Sequence, residues 1–297
     1  MKLEKSTKKK SKVRISIAGA SGSGKSYSSI LLGYGLCNDF SKLCVIDCEH
    51  FSASLYSSLG EYNVINLEPP FHPERFIEAI KLAESAGMQV IVLDAASHVW
   101  SGKGGCLEIH ERETAKMKVP NSFTAWNAVT PLYQKFIDAI VSSPCHIIST
   151  LRSKTEYILA ERNGRQAPQK VGMAPMMRDG YEFEQSICLE LDQNHKAFCT
   201  KDRTGLLQDK EPFVITPDVG RKIIQWYNAD SETSVDVITD KISHCKTIPE
   251  LLDLYKAFPA YRDVLKPEFE QQKRRILINE DVTKELSNQK LSSNGTH

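Results

Sequence analysis

The sequence predicts an α/β domain with a mostly parallel sheet flanked by helices, followed by a small C-terminal helical appendage. From residue 13 to about residue 228, short apolar runs typical of buried strands alternate with stretches of helical periodicity. The best run, at 90–93, is apolar throughout, which is typical of a strand covered on both faces. Beyond residue 228 the patterns are helical only.

The predicted elements follow one another regularly along the chain. The clearest strands are 13–18, 43–47, 90–94, 146–150 and 187–191, and the clearest helices are 25–37, 73–86 and 125–141. In the appendage, Thr247 and Glu250 have the spacing of a capping box, with a proline in the first turn. We expect a basic tail at 1–12, the α/β domain at 13–228, the helical appendage at 229–285 and a polar tail at 286–297.

Composition narrows the class of protein without identifying a partner. The 297 residues are 41% hydrophobic and 25% charged with a net charge of +1, as in an ordinary globular protein. Residues 1–12 hold six lysines against one glutamate, typical of a solvated tail or of a segment that contacts phosphate backbones. No run reaches the roughly 18 apolar residues of a membrane span, and no apolar segment of a secretion signal follows the first lysines. Eight cysteines without a CxxC pair argue against a disulfide framework or a zinc site, so we expect a cytoplasmic protein without membrane association.

A glycine-rich loop lies between the first predicted strand and the first predicted helix. It fits the phosphate-loop pattern GxxxxGK[ST] with the residues Gly19, Ala20, Ser21, Gly22, Ser23, Gly24, Lys25 and Ser26. Glycines let backbone N–H groups surround phosphates, and the helix N-terminus adds its positive dipole end. We expect Lys25 to reach the β- and γ-phosphates, Ser26 to bind Mg²⁺ and the adjacent Tyr27 to lie in the same site. An accidental glycine-rich turn is the alternative, and the flanking strand and helix argue against it.

Two acidic residues follow other predicted strands. Asp94 ends the run 90–94 and is the candidate to hold Mg²⁺ through water, although an aspartate there could simply cap the next turn. Glu49 follows the run 43–47 and is the candidate to polarise the attacking water in hydrolysis. A glutamate after a strand is more often solvent-facing than catalytic. The catalytic assignment of Glu49 therefore depends on the phosphate loop upstream.

The order of these segments resembles bacterial RecA-type recombinases over about residues 13–216. Residues 45–50 resemble the RecA segment with the catalytic glutamate, and 90–94 resemble its Walker B strand. Residues 147–154 resemble the strand whose end senses the γ-phosphate, and Thr150 stands where RecA has glutamine; its hydroxyl can still bond phosphate. The resemblance implies a RecA-like P-loop NTPase core that uses ATP and Mg²⁺.

A basic pair late in the chain extends the resemblance. Lys201 and Arg203 are separated by a single residue. Basic pairs with this spacing reach the neighbouring subunit's nucleotide in RecA-like oligomeric ATPases. Positive charge there neutralises charge that develops in phosphoryl transfer. Read alone, the segment is a solvated turn. The resemblance implies catalytic roles for Lys201 and Arg203 together with Lys25 and Glu49, in a ring or filament of identical chains.

A nearer resemblance is to the short RecA-core ATPases of bacteriophages, the Sak-type single-strand annealing proteins. It rests on residues 94–100, DAASHVW, and on residues 178–184, RDGYEFE. It implies a phage- or prophage-encoded protein of the bacterial cytoplasm that hydrolyses ATP and anneals or exchanges single-stranded DNA. The appendage could bind a single-strand-binding protein.

Two stretches are predicted to be long loops that hold DNA, as in RecA. They are residues 100–124 and 155–178, and structureless loops of that length are usually functional or disordered. Their basic side chains would bind phosphates: Lys103, Arg112, Lys116 and Lys118 in the first, and Arg162, Arg165, Lys170 and Arg178 in the second. Trp100 and Trp126 flank the first, and each either stacks on a base or packs in the core.

Two other classes of protein share the phosphate loop. A small-molecule or nucleotide kinase would transfer phosphate to an acceptor under a lid of clustered arginines, which the sequence does not show. A P-loop switch would bind nucleotide without DNA and signal to a partner protein.

Overall fold

The structure is a computed structural model that describes residues 12–162, 165–232, 235–262 and 264–293, without the side chains of 155–173, 229–232, 236, 260 and 280–293. Its contacts divide the chain into two compact units, one of residues 11–226 and one that contains the residues from 227 onward. The first unit is built on a nine-stranded sheet and the second is helical.

The strands of the sheet confirm the predicted α/β class. They are β1 Arg14–Gly19, β2 Leu43–Asp47, β3 Asn63–Asn66, β4 Val90–Asp94, β5 His146–Arg162, β6 Arg165–Pro175, β7 Ile187–Leu191, β8 Lys196–Asp202 and β9 Phe213–Val214. The order across the sheet is β3-β2-β4-β5-β1-β7-β8-β9, with β6 paired to β5 beyond it. Strands β3, β2, β4, β5, β1 and β7 pair with one another in parallel. Strand β8 pairs antiparallel with β7, and β9 pairs antiparallel with β8.

Helices cover both faces of the parallel strands. The helices of the first unit are α1 Lys25–Cys37, α2 Pro73–Ser85, α3 Ser97–Ser101, α4 Cys106–Ala115 and α5 Ser122–Ser142, and α6 Pro217–Glu232 begins in this unit. The rings of Phe76 on α2 and Phe136 on α5 meet edge to face at 5.6 Å in the main core, on one face of the sheet. On the other face, Gly33 of α1 lies so close to Leu43 that an added methyl group would come within 2.8 Å of it.

The parallel register brings several strand ends to one edge of the sheet. Gly19 of β1 is level with Arg152 of β5, and Asp47 of β2 is level with Asp94 of β4. Because the carboxyl ends of parallel strands meet at one edge, polar residues at these positions converge. The candidate site therefore lies at this carboxyl edge.

The prediction of two long structureless loops is wrong. Residues 100–124 contain α4 and the first turn of α5, because Cys106 and Ile109 lie three positions apart on one helix face and are buried. Residues 155–162 and 165–175 belong to the antiparallel strands β5 and β6 of a hairpin, paired from Ser153 with Pro175 to Arg162 with Arg165. The basic residues of these stretches suggest loops that bind DNA, but their apolar pattern and strand pairing produce a helix and a hairpin.

The second unit has a helical core of its own. Its helices α7 Val235–His244, α8 Ile248–Ala257 and α9 Lys266–Ser293 bury Ile238, Ile242, Leu251, Leu265, Phe269 and Ile276. Thr247 caps α8 by accepting from the backbone N–H of Glu250 at 3.4 Å, as the capping-box spacing predicts. The Glu250 carboxylate accepts from the N–H of Lys246 at 2.8 Å, one residue before the expected donor. Within the described residues, no helix combines the length and apolar character needed to cross a membrane.

Candidate nucleotide-binding site

A cavity of about 590 Å³ opens at the carboxyl edge of the sheet. It is lined by Ser21, Gly22, Gly24, Lys25, Ser26, Glu49, Ser52, Tyr56, Asp94, Arg152, Ser153, Met176 and His195. Four segments far apart in the sequence contribute the charged groups. They are the glycine-rich loop with the start of α1, the ends of β2 and β4, and the part of β5 at Arg152 where its pairing with β1 ends. The sequence-predicted Lys25, Ser26, Glu49 and Asp94 thus meet in one cavity.

The loop after β1 adopts the conformation that its glycines permit. Gly22 and Gly24 have φ values of 80° and 89°, in the left-handed region that favours glycine. The Lys25 ammonium donates to the Ala20 carbonyl at 2.7 Å, across the loop. Burial is the main cause that lowers the pKa of Lys25, while the carboxylates of Glu49 and Asp94 oppose this shift. The loop therefore presents a partly buried cation at the N-terminus of α1, where an anion is favoured.

Gly19, Ala20, Ser23 and Tyr27 complete the predicted phosphate loop from positions outside the cavity lining. Gly19 ends β1, and Ser23 is fully buried with a hydroxyl that has no hydrogen-bond partner among the described residues. Tyr27 is 45% exposed, and its ring meets that of Tyr56 at 6.0 Å. Tyr27 therefore contacts the site through Tyr56.

Asp94 is a buried carboxylate beside two hydroxyl groups. It is 2% exposed, and its oxygens accept hydrogen bonds from Thr150 and Ser26. Burial raises the pKa of Asp94, and the two hydroxyl bonds oppose that shift. Thr150 is fully buried and directs its hydroxyl to Asp94, so it supports this carboxylate and does not line the cavity.

Asp47 and Arg152 position Glu49. The carboxylate of buried Asp47 accepts from the backbone N–H of Glu49 at 2.6 Å and of Ala53 at 2.8 Å, which fixes the turn after β2. The Arg152 Nε donates to Glu49 Oε1 at 2.8 Å. Both members of this ion pair keep part of their surface exposed to the cavity, 49% for Arg152 and 28% for Glu49. Glu49 is therefore held at the cavity by a cation that is also available to an anionic ligand.

These groups fit a nucleoside triphosphate with Mg²⁺. The Asp94 carboxylate and the Ser26 hydroxyl are oxygen ligands of the kind that Mg²⁺ prefers, and phosphate and water oxygens usually complete its shell. Because Asp94 is buried with neutral partners, a nearby cation would offset its desolvation. Lys25 and the loop N–H groups supply the complementary phosphate site. The expected ATP and Mg²⁺ thus match the donor set.

Arg152 and His195 are among the polar residues of the cavity to which the sequence analysis gives no role. Arg152 follows Thr150 in the segment compared with RecA, and the alternating direction of side chains on β5 could have singled it out. His195 lies in the turn between β7 and β8, with a φ of 62°, and its Nδ1 is 3.0 Å from the Ser23 carbonyl. No local pattern marks it, because only the fold brings this turn to the loop.

Lys201 and Arg203 lie at the opposite edge of the sheet. Because β8 is antiparallel to β7, its end at Asp202 pairs with Ile187 at the start of β7. Lys201 donates to the Glu182 carbonyl at 2.6 Å and to the Phe183 carbonyl at 3.1 Å, and Arg203 donates to the Phe183 carbonyl at 2.7 Å. The structure therefore does not bring these side chains to the cavity of their own chain.

The basic residues assigned to DNA are divided between two places. Lys103 follows α3, Arg112 lies on α4, and Lys116 and Lys118 follow that helix. Arg112 and Lys116 contact Glu113 at 3.5 and 2.7 Å, so part of their charge is compensated. The side chains of Arg162, Arg165 and Lys170 on the β5–β6 hairpin lie outside the described residues.

The two flanking tryptophans pack against the core. The rings of Trp100 and Trp126 stack at 5.5 Å, and both lie against the main apolar cluster. Arg178 places its guanidinium 5.6 Å from the Trp126 ring and 5.4 Å from that of Tyr133. Trp126 also stacks on His110 at 4.1 Å. The structure thus favours the packing interpretation for both tryptophans over a free stacking surface.

The phosphate loop, the buried Asp94 and the parallel sheet together define a P-loop NTPase with an α/β fold. The chain belongs to the family described as AAA domain (AAA_24), whose match spans residues 11–214. No curated protein matches the sequence. Among solved structures, it is similar to a KaiC-like protein from the hyperthermophilic archaeon Pyrococcus horikoshii OT3 at 13% identity. That alignment covers 70% of this chain and 88% of the other, with a TM-score of 0.40.

Proposed function

We propose that this P-loop NTPase hydrolyses ATP and acts on single-stranded DNA, in annealing or strand exchange of the phage or prophage type. The Sak-type motifs at 94–100 and 178–184 support this choice within the family. The working form is an oligomer of identical chains, a ring or a filament, in the bacterial cytoplasm.

The observation that carries the proposal is the origin of the β5–β6 hairpin at the nucleotide cavity. Arg152 and Ser153 line the cavity just before one strand of the hairpin leaves it, and Met176 lines it where the other strand returns. The Met176 N–H donates to the Arg152 carbonyl at 2.7 Å, which ties the two strands together at this base. A change at Arg152 on nucleotide binding would therefore reach the hairpin, whose sequence carries Arg162, Arg165 and Lys170.

The residues of the cavity have distinct tasks in hydrolysis. Lys25 and the loop N–H groups would bind the phosphates, and Ser26, together with Asp94 through water, would hold a magnesium ion. The ion, when bound, neutralises phosphate charge. Glu49 accepts a proton from the attacking water as general base, and Asp47 and Arg152 keep its carboxylate at the cavity.

Oligomer formation is supported by the basic pair at the far edge of the sheet. Lys201 and Arg203 cannot serve the cavity of their own chain from that edge, whereas a second chain packed head to tail could receive them. Both are bound to main-chain carbonyls, and within the described part of the chain neither forms an ion pair with an acidic side chain.

The experiment is ATP turnover with and without single-stranded DNA, beside the mass of the protein in solution. We expect DNA to raise kcat by about tenfold or more, with the protein in an oligomer. The variant with Arg162→Ala, Arg165→Ala and Lys170→Ala should lose most of this stimulation, because these cations would hold the phosphate backbone.

The matched control removes exposed lysines from outer helices. Lys81→Ala with Lys135→Ala should keep the same ratio of stimulated to unstimulated rate. A monomer whose turnover does not change with DNA would contradict the proposal. It would favour a P-loop switch, or a small-molecule kinase if phosphate were transferred to an added acceptor.

A further inference from the structure

A groove in the helical C-terminal unit has no task in nucleotide binding. It has a volume of about 430 Å³ and runs between α8 and the first turns of α9. Its lining consists of Ile248, Leu251, Leu252, Tyr255, Arg262, Lys266, Phe269, Glu270 and Lys273. Apolar side chains form its floor and charged side chains form its rim, as in many ligand and peptide sites.

The floor leaves large apolar surface open to solvent. Leu251 and Phe269 belong to the core of the unit and are nearly buried, whereas Leu252 is 47% and Tyr255 is 40% exposed. The Phe269 and Tyr255 rings meet edge to face at 5.2 Å with an interplanar angle of 87°. An apolar side chain from a partner would cover this surface and gain hydrophobic free energy.

The rim is basic. Arg262, Lys266 and Lys273 stand against one acidic lining residue, Glu270, which itself lies 4.0 Å from the guanidinium of Arg274. Lys266 and Lys273 are seven residues apart on α9 and therefore on the same helix face. Among the described residues neither lysine has an ion-pair partner within 4.0 Å.

Arg262 is held in place before any partner arrives. Its Nε donates to the Tyr255 carbonyl at 2.9 Å, and its guanidinium lies 4.7 Å from the centre of the Tyr255 ring. Since the side chain is already ordered, an acidic group that bonds to it pays little additional conformational entropy.

The shape and chemistry of the groove favour a peptide over nucleic acid. Single-stranded nucleic acid needs an open aromatic face on which bases stack. Here one face of Tyr255 is covered by Arg262, and Phe269 is 7% exposed. Aliphatic floor residues beside separate cations instead match alternating apolar and acidic side chains.

We propose that this groove binds an acidic peptide segment of a partner protein. One large apolar side chain of the segment lies on Leu252 and Tyr255, and its carboxylates face Lys266, Lys273 and Arg262. The proposal goes beyond the ATPase proposal, because it concerns another unit of the chain and holds whether or not DNA stimulates turnover.

Fluorescence anisotropy of the full-length chain tests this assignment with a labelled ten-residue peptide of five aspartates, serines and a terminal Leu-Phe pair. We expect saturable binding that weakens as salt is raised, because the rim contributes through charge. A peptide with serine in place of Leu-Phe, and one with asparagine in place of aspartate, should each bind at least about tenfold more weakly.

Variants locate the site. Lys266→Glu with Lys273→Glu, and separately Leu252→Ser, should each weaken binding about tenfold or more. The matched control Lys256→Glu changes a lysine of α8 outside the groove and should leave affinity unchanged. Circular dichroism and thermal unfolding of each variant report whether the helical unit remains folded.

Three results would overturn the proposal. The first is the absence of saturable peptide binding, and the second is an equal loss of affinity in Lys256→Glu. The third is displacement of the peptide by a single-stranded oligonucleotide that the variant with Lys266→Glu and Lys273→Glu no longer binds. The last result would assign the groove to nucleic acid instead.

Discussion

The two edges of the parallel sheet use polar residues differently. At the carboxyl edge, side chains from separate strands meet one another: Asp94 with Thr150 and Ser26, and Glu49 with Arg152. At the amino edge, side chains bind the main chain. Arg14 donates to the carbonyls of Cys145 and Ser143 at 2.7 and 2.6 Å, which closes the turn before β5.

This difference separates a site for chemistry from a site for stability. Burial lowers the pKa of Lys25 and raises that of Asp94, so the carboxyl edge keeps charges where they cost free energy. Such perturbed groups in a cleft are typical of functional sites. At the amino edge, by contrast, each cation donates to neutral main-chain carbonyls. Lys201 and Arg203 also bind main-chain carbonyls, as structural cations do, although the resemblance to RecA implies a catalytic role for them.

Removing that basic pair should have the largest effect. If it acts on a neighbouring chain, Lys201→Ala with Arg203→Ala lowers kcat about 1,000-fold, as the loss of an arginine finger does. ATP binding to the same chain should persist, because its own phosphate loop is intact. Turnover and nucleotide affinity, measured side by side, check this expectation.

Mixing variants distinguishes a role between chains from a structural role. The double variant lacks the basic pair and keeps the loop, while Lys25→Ala lacks the loop lysine and keeps the pair. In an equal mixture about a quarter of head-to-tail interfaces combine two intact halves, and activity should return in proportion. If the mixture stays inactive although the chains exchange, Lys201 and Arg203 belong with Arg14 as structural cations.

Glu49→Gln should have the second largest effect. Glutamine has nearly the same shape but cannot accept the proton of the attacking water, so kcat should fall about 100-fold while ATP binding stays within about twofold. The measurement is single-turnover hydrolysis beside equilibrium nucleotide binding.

Glu61→Gln is the control, because Glu61 is exposed before β3 and does not line the cavity. Its rate should equal that of the unchanged protein. Unchanged turnover in Glu49→Gln would remove the catalytic assignment and leave Glu49 as the ion-pair partner of Arg152.

Much of the carboxyl edge could be predicted from the sequence because its signals are local. The loop at 19–26 is one continuous pattern, and an acidic residue at the end of an apolar run, such as Asp94, needs only the strand to be recognised. The parallel sheet then brings these ends together. The strands at 43–47, 90–94 and 187–191 agree with the structure for the same reason.

The rest depends on contacts between distant segments. His195 reaches the loop only because β7 lies beside β1 and the turn after β7 folds back. The role of Arg152 depends on its distance from Glu49, 103 residues away in the chain. The paired strands of 155–162 and 165–175 are predicted to be a loop, because the basic residues there suggest DNA binding. The Asn-Gly pair at 163–164, a strong signal for a hairpin turn, could have predicted the two strands.

The smallest expected effect concerns stability at the amino edge. Burial, together with the nearby charges of Lys12 and Arg14, lowers the pKa of His146 to about 3. The Val13 N–H donates to His146 Nδ1 at 3.1 Å, so the neutral ring is the form that fits. Protonation would put a second donor against that N–H.

The sign of the pH dependence follows from this depressed pKa. In the unfolded chain the ring takes up a proton near pH 6.5, while the folded chain resists protonation until about pH 3. The stability that His146 contributes is therefore complete above pH 6.5 and declines as the pH falls, by up to roughly 1.4 kcal/mol per pH unit within the window. His146→Asn keeps an acceptor for Val13 but does not titrate, so its unfolding free energy should depend less on pH between 6.5 and 4. Parallel pH curves for the two proteins in denaturant unfolding would contradict this role of His146.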